Sequence, residues 1–167
     1  MTVTDVRKDR DHMTMTMTAE FDSPIERVWE MWSNPRKLER WWGPPTYPAT
    51  FTDHDLSVGG RVSYSMTGPE GDCTHGWWIV RAIDAPNHLE FEDGFADEHG
   101  NPEPDMPTMT MRVSLTERSN GGTTMIVETT FPSVEAMDQM IAMGMEEGMA
   151  AAMSQIDALL EEPARSS

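Results

Sequence analysis

The sequence predicts an α+β fold in which a curved antiparallel sheet of about seven strands wraps on a long C-terminal helix, with two short helices after the first strand. Three observations predict it. Several segments alternate apolar and polar residues with period two, the mark of half-buried strands. A C-terminal stretch carries apolar side chains at three- and four-residue spacing, the mark of a helix with one buried face. The helices bracket the strands instead of alternating with them, which argues for an antiparallel sheet and against a parallel one.

The elements follow in order. Residues 1–11 are polar and read as a flexible segment ahead of a single domain over 12–162, with 163–167 as a short tail. Met13, Met15, Met17, Ala19 and Phe21 alternate with polar residues as a first strand. Ser23-Pro24-Ile25-Glu26 has the form of a capping box with proline at the first helical position. Ile25, Val28, Trp29 and Trp32 then give one apolar helical face. A second helix is expected from Asn34-Pro35, carrying Leu38 and Trp41 and ending at Trp42-Gly43-Pro44-Pro45. Strands are expected at 49–52, 61–66, 74–83, 88–92, 108–116 and 124–131. The clearest is 108–116, with Met109, Met111, Val113 and Leu115 inward, followed by the hairpin turn Asn120-Gly121-Gly122. Residues 93–107, rich in Gly, Pro and acid, read as a loop with Phe95 exposed, either a lid or a solvated connection. One helix is expected over 133–162, capped by Ser133. Met137, Ile141, Met145, Met149 and Met153 form one row on it, and Gly144, Gly148, Ala152 and Ile156 the next.

Bulk properties narrow the function classes. The chain of 167 residues fits one domain. Its 12 basic against 29 acidic residues give a formal charge of −17, which repels phosphate backbones and anionic lipid, so nucleic acid and membrane surfaces are not expected partners. The single cysteine, Cys73, cannot form an internal disulfide. Cys73-x-His75 lacks the further ligands of a zinc site, so no metal and no cofactor is expected. No secretory leader or membrane-length apolar run is visible, and a cytoplasmic protein, monomer or homodimer, is the expectation. Methionine is unusually frequent, with 16 copies. Its unbranched, polarizable side chain adapts to irregular contacts.

A set of spaced motifs then adds a resemblance. Ser23-Pro24-x-x-x-Val28-Trp29-x-x-Trp32 is followed by Leu38-x-x-Trp41-Trp42-Gly43-Pro44. Gly59-Gly60-Arg61, His75-Gly76-Trp77-Trp78, Ile83-Asp84-x-Pro86-x-x-Leu89 and Gly144-Met145-x-x-Gly148 come after. In order and spacing the chain resembles the START-like, or SRPBCC, helix-grip superfamily, and within it proteins similar to the C-terminal domain of the heat-shock ATPase activator. That resemblance implies a cavity between sheet and helix. It also brings two further roles to weigh, cyclase- or aromatase-like chemistry in the same cavity and a co-chaperone-like interaction.

Candidate chemical groups are few. Tyr64, inward on its strand, could act as a general acid or orient a ligand, although a buried tyrosine more often packs its ring and satisfies its hydroxyl. His54 and His75 sit near strand ends, where a lone histidine is more often a surface or capping residue. Arg112 and Glu128 face outward on neighbouring strands and read as a cross-strand ion pair. No Ser-His-Asp set, phosphate-cradling glycine loop or paired carboxylates on an apolar face can be assembled, so no catalytic residue is assigned. The constellation that remains is apolar. Trp32, Trp41, Tyr64, Met66, Trp78, Phe91, Phe95, Met109, Met111, Met145, Gly148 and Met149 are expected to converge between sheet and helix, either as a solid core or as the walls of a site for a small, largely apolar molecule.

Overall fold

A computed structural model describes residues 3–161. One open antiparallel sheet of eight strands runs in the order β1-β2-β8-β7-β6-β5-β4-β3. The strands are β1 (Val3–Asp9), β2 (Thr14–Phe21), β3 (Ala49–His54), β4 (Arg61–Thr67), β5 (Cys73–Asp84), β6 (His88–Ala96), β7 (Met109–Glu117) and β8 (Thr123–Thr130). Helices α1 (Ile25–Ser33) and α2 (Pro35–Leu38) follow β2, and α3 (Val134–Ala142), α4 (Met145–Ser154) and α5 (Ile156–Glu161) follow β8. The inner face of the sheet is the period-two set read from sequence: Met15, Met17, Ala19 and Phe21 on β2, and Met109, Met111, Val113 and Leu115 on β7, are all buried. Helix α1 buries Ile25, Val28, Met31 and Trp32, while Met137, Met140, Ala152, Met153, Ile156 and Leu160 of α3–α5 join the same core. Register shifts at Phe51/Asp53 and Val80/Ala82 mark bulges, which bend strands and increase their twist.

Five expectations need correction. Within the segment expected to be flexible at 1–11, Val3–Asp9 instead form the edge strand β1, which raises the strand count to eight. Val3 pairs with Ala19 and Val6 with Met17, while Lys8 and Arg10 bond Glu146 at 2.5 Å and Asp138 at 2.9 Å, tying this end of the chain to α4 and α3. The proposed tail at 163–167 lies outside the described residues.

The capping box does not form. Pro24 is the cap of α1, with no side-chain bond, whereas Asn34 caps α2 by accepting from the Arg36 amide at 3.0 Å. Helix α2 ends at Leu38, so Trp41 sits in the turns beyond it.

The C-terminal helix is three segments, not one. Gly144, with φ +92°, breaks α3 from α4. Its left-handed backbone is the ordinary helix-ending role of glycine. Finally, β6 runs on to Ala96, which takes residues 93–96 out of the expected loop and half-buries Phe95.

Candidate functional site

Between the inner face of the sheet and α3–α4 lies a cavity of about 300 Å³, partly open to solvent. Of the twelve expected residues, ten line it: Trp32, Trp41, Tyr64, Met66, Phe95, Met109, Met111, Met145, Gly148 and Met149. The other two do not. Trp78 and Phe91 stack on each other, ring centroids 3.9 Å apart, fully buried, and form the solid layer beside the cavity. A Cβ added at Gly148 meets no atom within 4 Å, so this glycine faces open space. Met140, Met143 and Met153 extend the methionine wall.

The aromatic end is built by α1 and the turn after α2. Trp32 and Trp41 meet edge to face at 4.7 Å, and Trp42 meets Trp78 in the same manner at 4.8 Å. The turn is fixed from the C-terminal helices, where Gln155 donates to the carbonyl oxygens of Trp41 at 3.3 Å and Gly43 at 2.8 Å. Trp32 Nε1 donates to Met125 Sδ at 3.3 Å, and Trp41 Nε1 to the Met31 carbonyl at 2.8 Å. Trp42 Nε1 and Trp78 Nε1, both buried, have no hydrogen-bond partner.

The polar feature that sequence reasoning missed is Asp93. It stands on the inner face of β6, opposite Trp78 on β5 and Met109 on β7. Tyr64 on β4 donates its hydroxyl to Asp93 Oδ1 at 2.9 Å. The contact spans β5, and it is possible because residue 76 is glycine. A Cβ there would stand 2.3 Å from Tyr64 Cζ. Burial pushes the Asp93 carboxyl up to about 7, against a smaller lowering by the Tyr64 hydrogen bond. Burial likewise raises the Tyr64 phenol well above its ordinary value, and the Asp93 charge adds to this. The Trp42 and Trp78 indoles pull the other way, since their N–H dipoles favour the phenolate, although neither reaches hydrogen-bond geometry. The missed signal was parity. Asp93 is two residues beyond Phe91 and two before Phe95, on the inward series Leu89, Phe91, Asp93, Phe95.

The remaining candidates take simpler roles. His54 Nε2 lies 3.1 Å from the Trp32 carbonyl and steadies α1, and burial lowers its pKa. His75 and Thr74 lie on the cavity wall. Arg112 pairs outward with Glu128 at 3.2 Å and Glu90 at 3.4 Å, remote from the cavity chemistry. Among the described residues, no three His, Cys, Asp or Glu side chains come together to hold a metal ion, and no helix is long and apolar enough to cross a membrane.

The family model described as "Activator of Hsp90 ATPase homolog 1-like protein" matches residues 22–161. The chain belongs to that family. Its fold is accordingly that of the helix-grip superfamily. A solution structure of a protein from Arthrobacter aurescens is 51% identical, with a TM-score of 0.92, covering 98% of this chain and 95% of that one. A crystal structure of a protein from Mycobacterium smegmatis is 48% identical, with a TM-score of 0.89, covering 98% and 99%. An activator-like protein from Silicibacter pomeroyi, 19% identical with a TM-score of 0.71 over 88% and 96%, shares the fold. None of the functionally curated proteins matches the chain.

Proposed function

We propose that this member of the activator-like family is a binding module for a small, largely apolar molecule held between the sheet and α3–α4. The observation that carries the reading is the cavity itself: about 300 Å³, walled by methionine and aromatic side chains, with Gly148 opening onto it. Ligand sites are typically concave and mostly apolar, with a few placed polar groups. Methionine walls adapt to more than one shape. The test is native mass spectrometry of the protein purified from its own host. A bound small molecule, released on denaturation and absent from Gly148→Leu, is the expected result. No bound molecule, and no binding of apolar probes in vitro, would refute it.

One observation favours a second reading, an enzyme using the same cavity. A carboxyl group titrating near neutrality inside an apolar site suits general acid–base catalysis. Turnover of a cavity-bound compound that Asp93→Asn abolishes without weakening its binding would favour this reading. The co-chaperone-like role has less support. Among the described residues the exposed large apolar side chains are Val58 in the turn between β3 and β4, Ile126 on β8 and Met143 in the turn between α3 and α4, whereas a docking surface needs a contiguous patch.

A further inference from the structure

The apolar walls explain why a hydrophobic molecule would enter the cavity but not what its polar end would meet there. Asp93 is the acidic side chain of the lining, and it is only 9% exposed. Its Oδ1 accepts the Tyr64 hydroxyl at 2.9 Å. Among the described residues nothing donates to Oδ2, yet this oxygen is not sealed away as the Trp42 and Trp78 nitrogens are. Oδ2 is therefore an open acceptor on the cavity wall. Burial and the Tyr64 hydrogen bond are what move the titration of this carboxyl, and no lysine, arginine or histidine among the described residues balances its charge. A carboxylate offers about four acceptor sites. Buried without a counter-charge, it either keeps a proton or meets a cation.

Resting on the reading of the cavity as an apolar ligand site, we infer that its ligand is a hydrophobic amine, an apolar body ending in a protonated ammonium group that donates to Asp93 Oδ2. A neutral hydroxyl would complete the hydrogen bond and leave the charge unbalanced. A ligand carboxylate would add a second negative charge in a low-dielectric site. Trp42 and Tyr64, which meet edge to face at 5.8 Å, both line this end, and aromatic rings attract a cation. The formal charge of −17 draws cations toward the protein. The groups around the carboxyl leave it as the one that responds near neutral pH. Tyr64, from β4, keeps its proton because burial raises it well above its ordinary value. His75, on β5 at the position paired with Ser65 and Ala96, is the other titratable group of the lining. Glu92 on β6 pairs with Arg81 on the opposite face. Strand β7 presents Met109 and Met111, and α4 presents Met145 and Met149, none of which titrates.

The inference is tested with three probes of one shape, 2-(1-naphthyl)ethylamine, 2-(1-naphthyl)ethanol and 1-propylnaphthalene, which end in an ammonium, a hydroxyl and a methyl group. Each is titrated into the isotope-labelled full chain at about 0.15 M salt, where exposed charges are largely screened. A primary alkylamine keeps its charge from about pH 6 to about pH 8, as lysine does. At about pH 8 the amine should bind at least roughly tenfold more tightly than either neutral probe. Its affinity should rise about tenfold from about pH 6 to about pH 8, as Asp93 gives up its proton near 7. The neutral probes should bind no better at the higher pH. Asp93→Asn should abolish the rise and weaken the amine at least roughly thirtyfold at about pH 8, the scale expected for a buried charge pair that loses one partner. His75→Gln should leave both effects in place. With the amine bound, the Asp93 carboxyl carbon should titrate below about pH 5. An amine that binds no more tightly than the alcohol at about pH 8, or that is indifferent to Asp93→Asn, overturns this inference and leaves the apolar-site reading standing. Binding of none of the three probes overturns the apolar-site reading, and this inference with it.

Discussion

Asp93→Asn should stabilise the protein, and the gain should depend on pH in a definite sense. The carboxyl titrates near 7 in the folded chain against 3.8 when unperturbed. Below about pH 4 the group is protonated in both folded and unfolded states and contributes nothing. Between about pH 4 and pH 7 the unfolded chain releases the proton while the folded chain keeps it, so stability falls as pH rises. Above about pH 7 both states are ionised and the whole penalty is present. The gap, at about 1.4 kcal/mol per pH step, amounts to about 4 kcal/mol as an upper bound. Asparagine keeps the shape and can still accept the Tyr64 hydroxyl, but it carries no charge to desolvate. Urea unfolding of both proteins from about pH 4 to about pH 9 is the assay. Taking the difference between them largely cancels the general repulsion of a chain with formal charge −17, which also grows with pH. The expected difference is near zero or slightly against the variant at pH 4 and rises to roughly 2–4 kcal/mol in its favour above pH 7. A difference independent of pH would refute the argument, and one that turns against the variant as pH rises would show that the folded protein stabilises the carboxylate.

Three further substitutions probe the same geometry. Gly76→Ala should displace the Tyr64 ring, cost about 1–3 kcal/mol in urea unfolding and break the Tyr64–Asp93 hydrogen bond, visible as a further rise in the Asp93 pKa by NMR titration. Gly148→Ala should stabilise by roughly 0.5–1 kcal/mol, because the residue is helical and its Cβ meets open space; Gly148→Leu should keep that stability while filling the cavity and excluding apolar probes. Gly144→Ala should destabilise by roughly 1–2 kcal/mol, since the obstacle at φ +92° is the backbone and not lack of room.

The sheet interior was legible because period two survives wherever one face is buried. Met109 to Leu115 and Met15 to Phe21 carry that signal without interruption. Strand β1 was not legible because its two inward anchors, Val3 and Val6, stand among charged residues, and charge is what an exposed edge strand favours. The helix break at Gly144 was misread for the opposite reason. The apolar rows continue at four-residue spacing through it, and spacing cannot register a single left-handed residue between two helices. Trp78 and Phe91 were placed on the correct face, but sequence parity cannot separate a residue that lines a cavity from one packed behind the lining. Asp93 was hidden because acidic residues surround it and the strand was expected to end at residue 92; its parity with Leu89 and Phe91 turns it inward once β6 runs on to Ala96.

A packing defect and a binding site differ in what the surrounding residues give up. The cavity's polar end departs from the locally best choice three times. Residue 76 is a glycine inside a strand, where glycine weakens pairing and offers nothing to pack. Residue 93 is a carboxyl whose ionised form is costly to bury, in a sheet whose neighbouring inward positions are apolar. The Trp42 and Trp78 indoles are buried with their donors unpaired, although Trp32 and Trp41 beside them found partners. None of the three helps another to fold. Glycine 76 makes room for the reach of Tyr64, Tyr64 reaches a residue that destabilises the sheet, and the indoles pack against the Tyr64 ring without a hydrogen bond. Departures of this kind gather at functional sites, where stability is not the only demand on the sequence. A void left by poor packing would be bordered by apolar residues alone, with no reason for its polar neighbours to converge. Here they converge on one end of the cavity while the methionines line the rest, an arrangement suited to a molecule with an apolar body and one polar group.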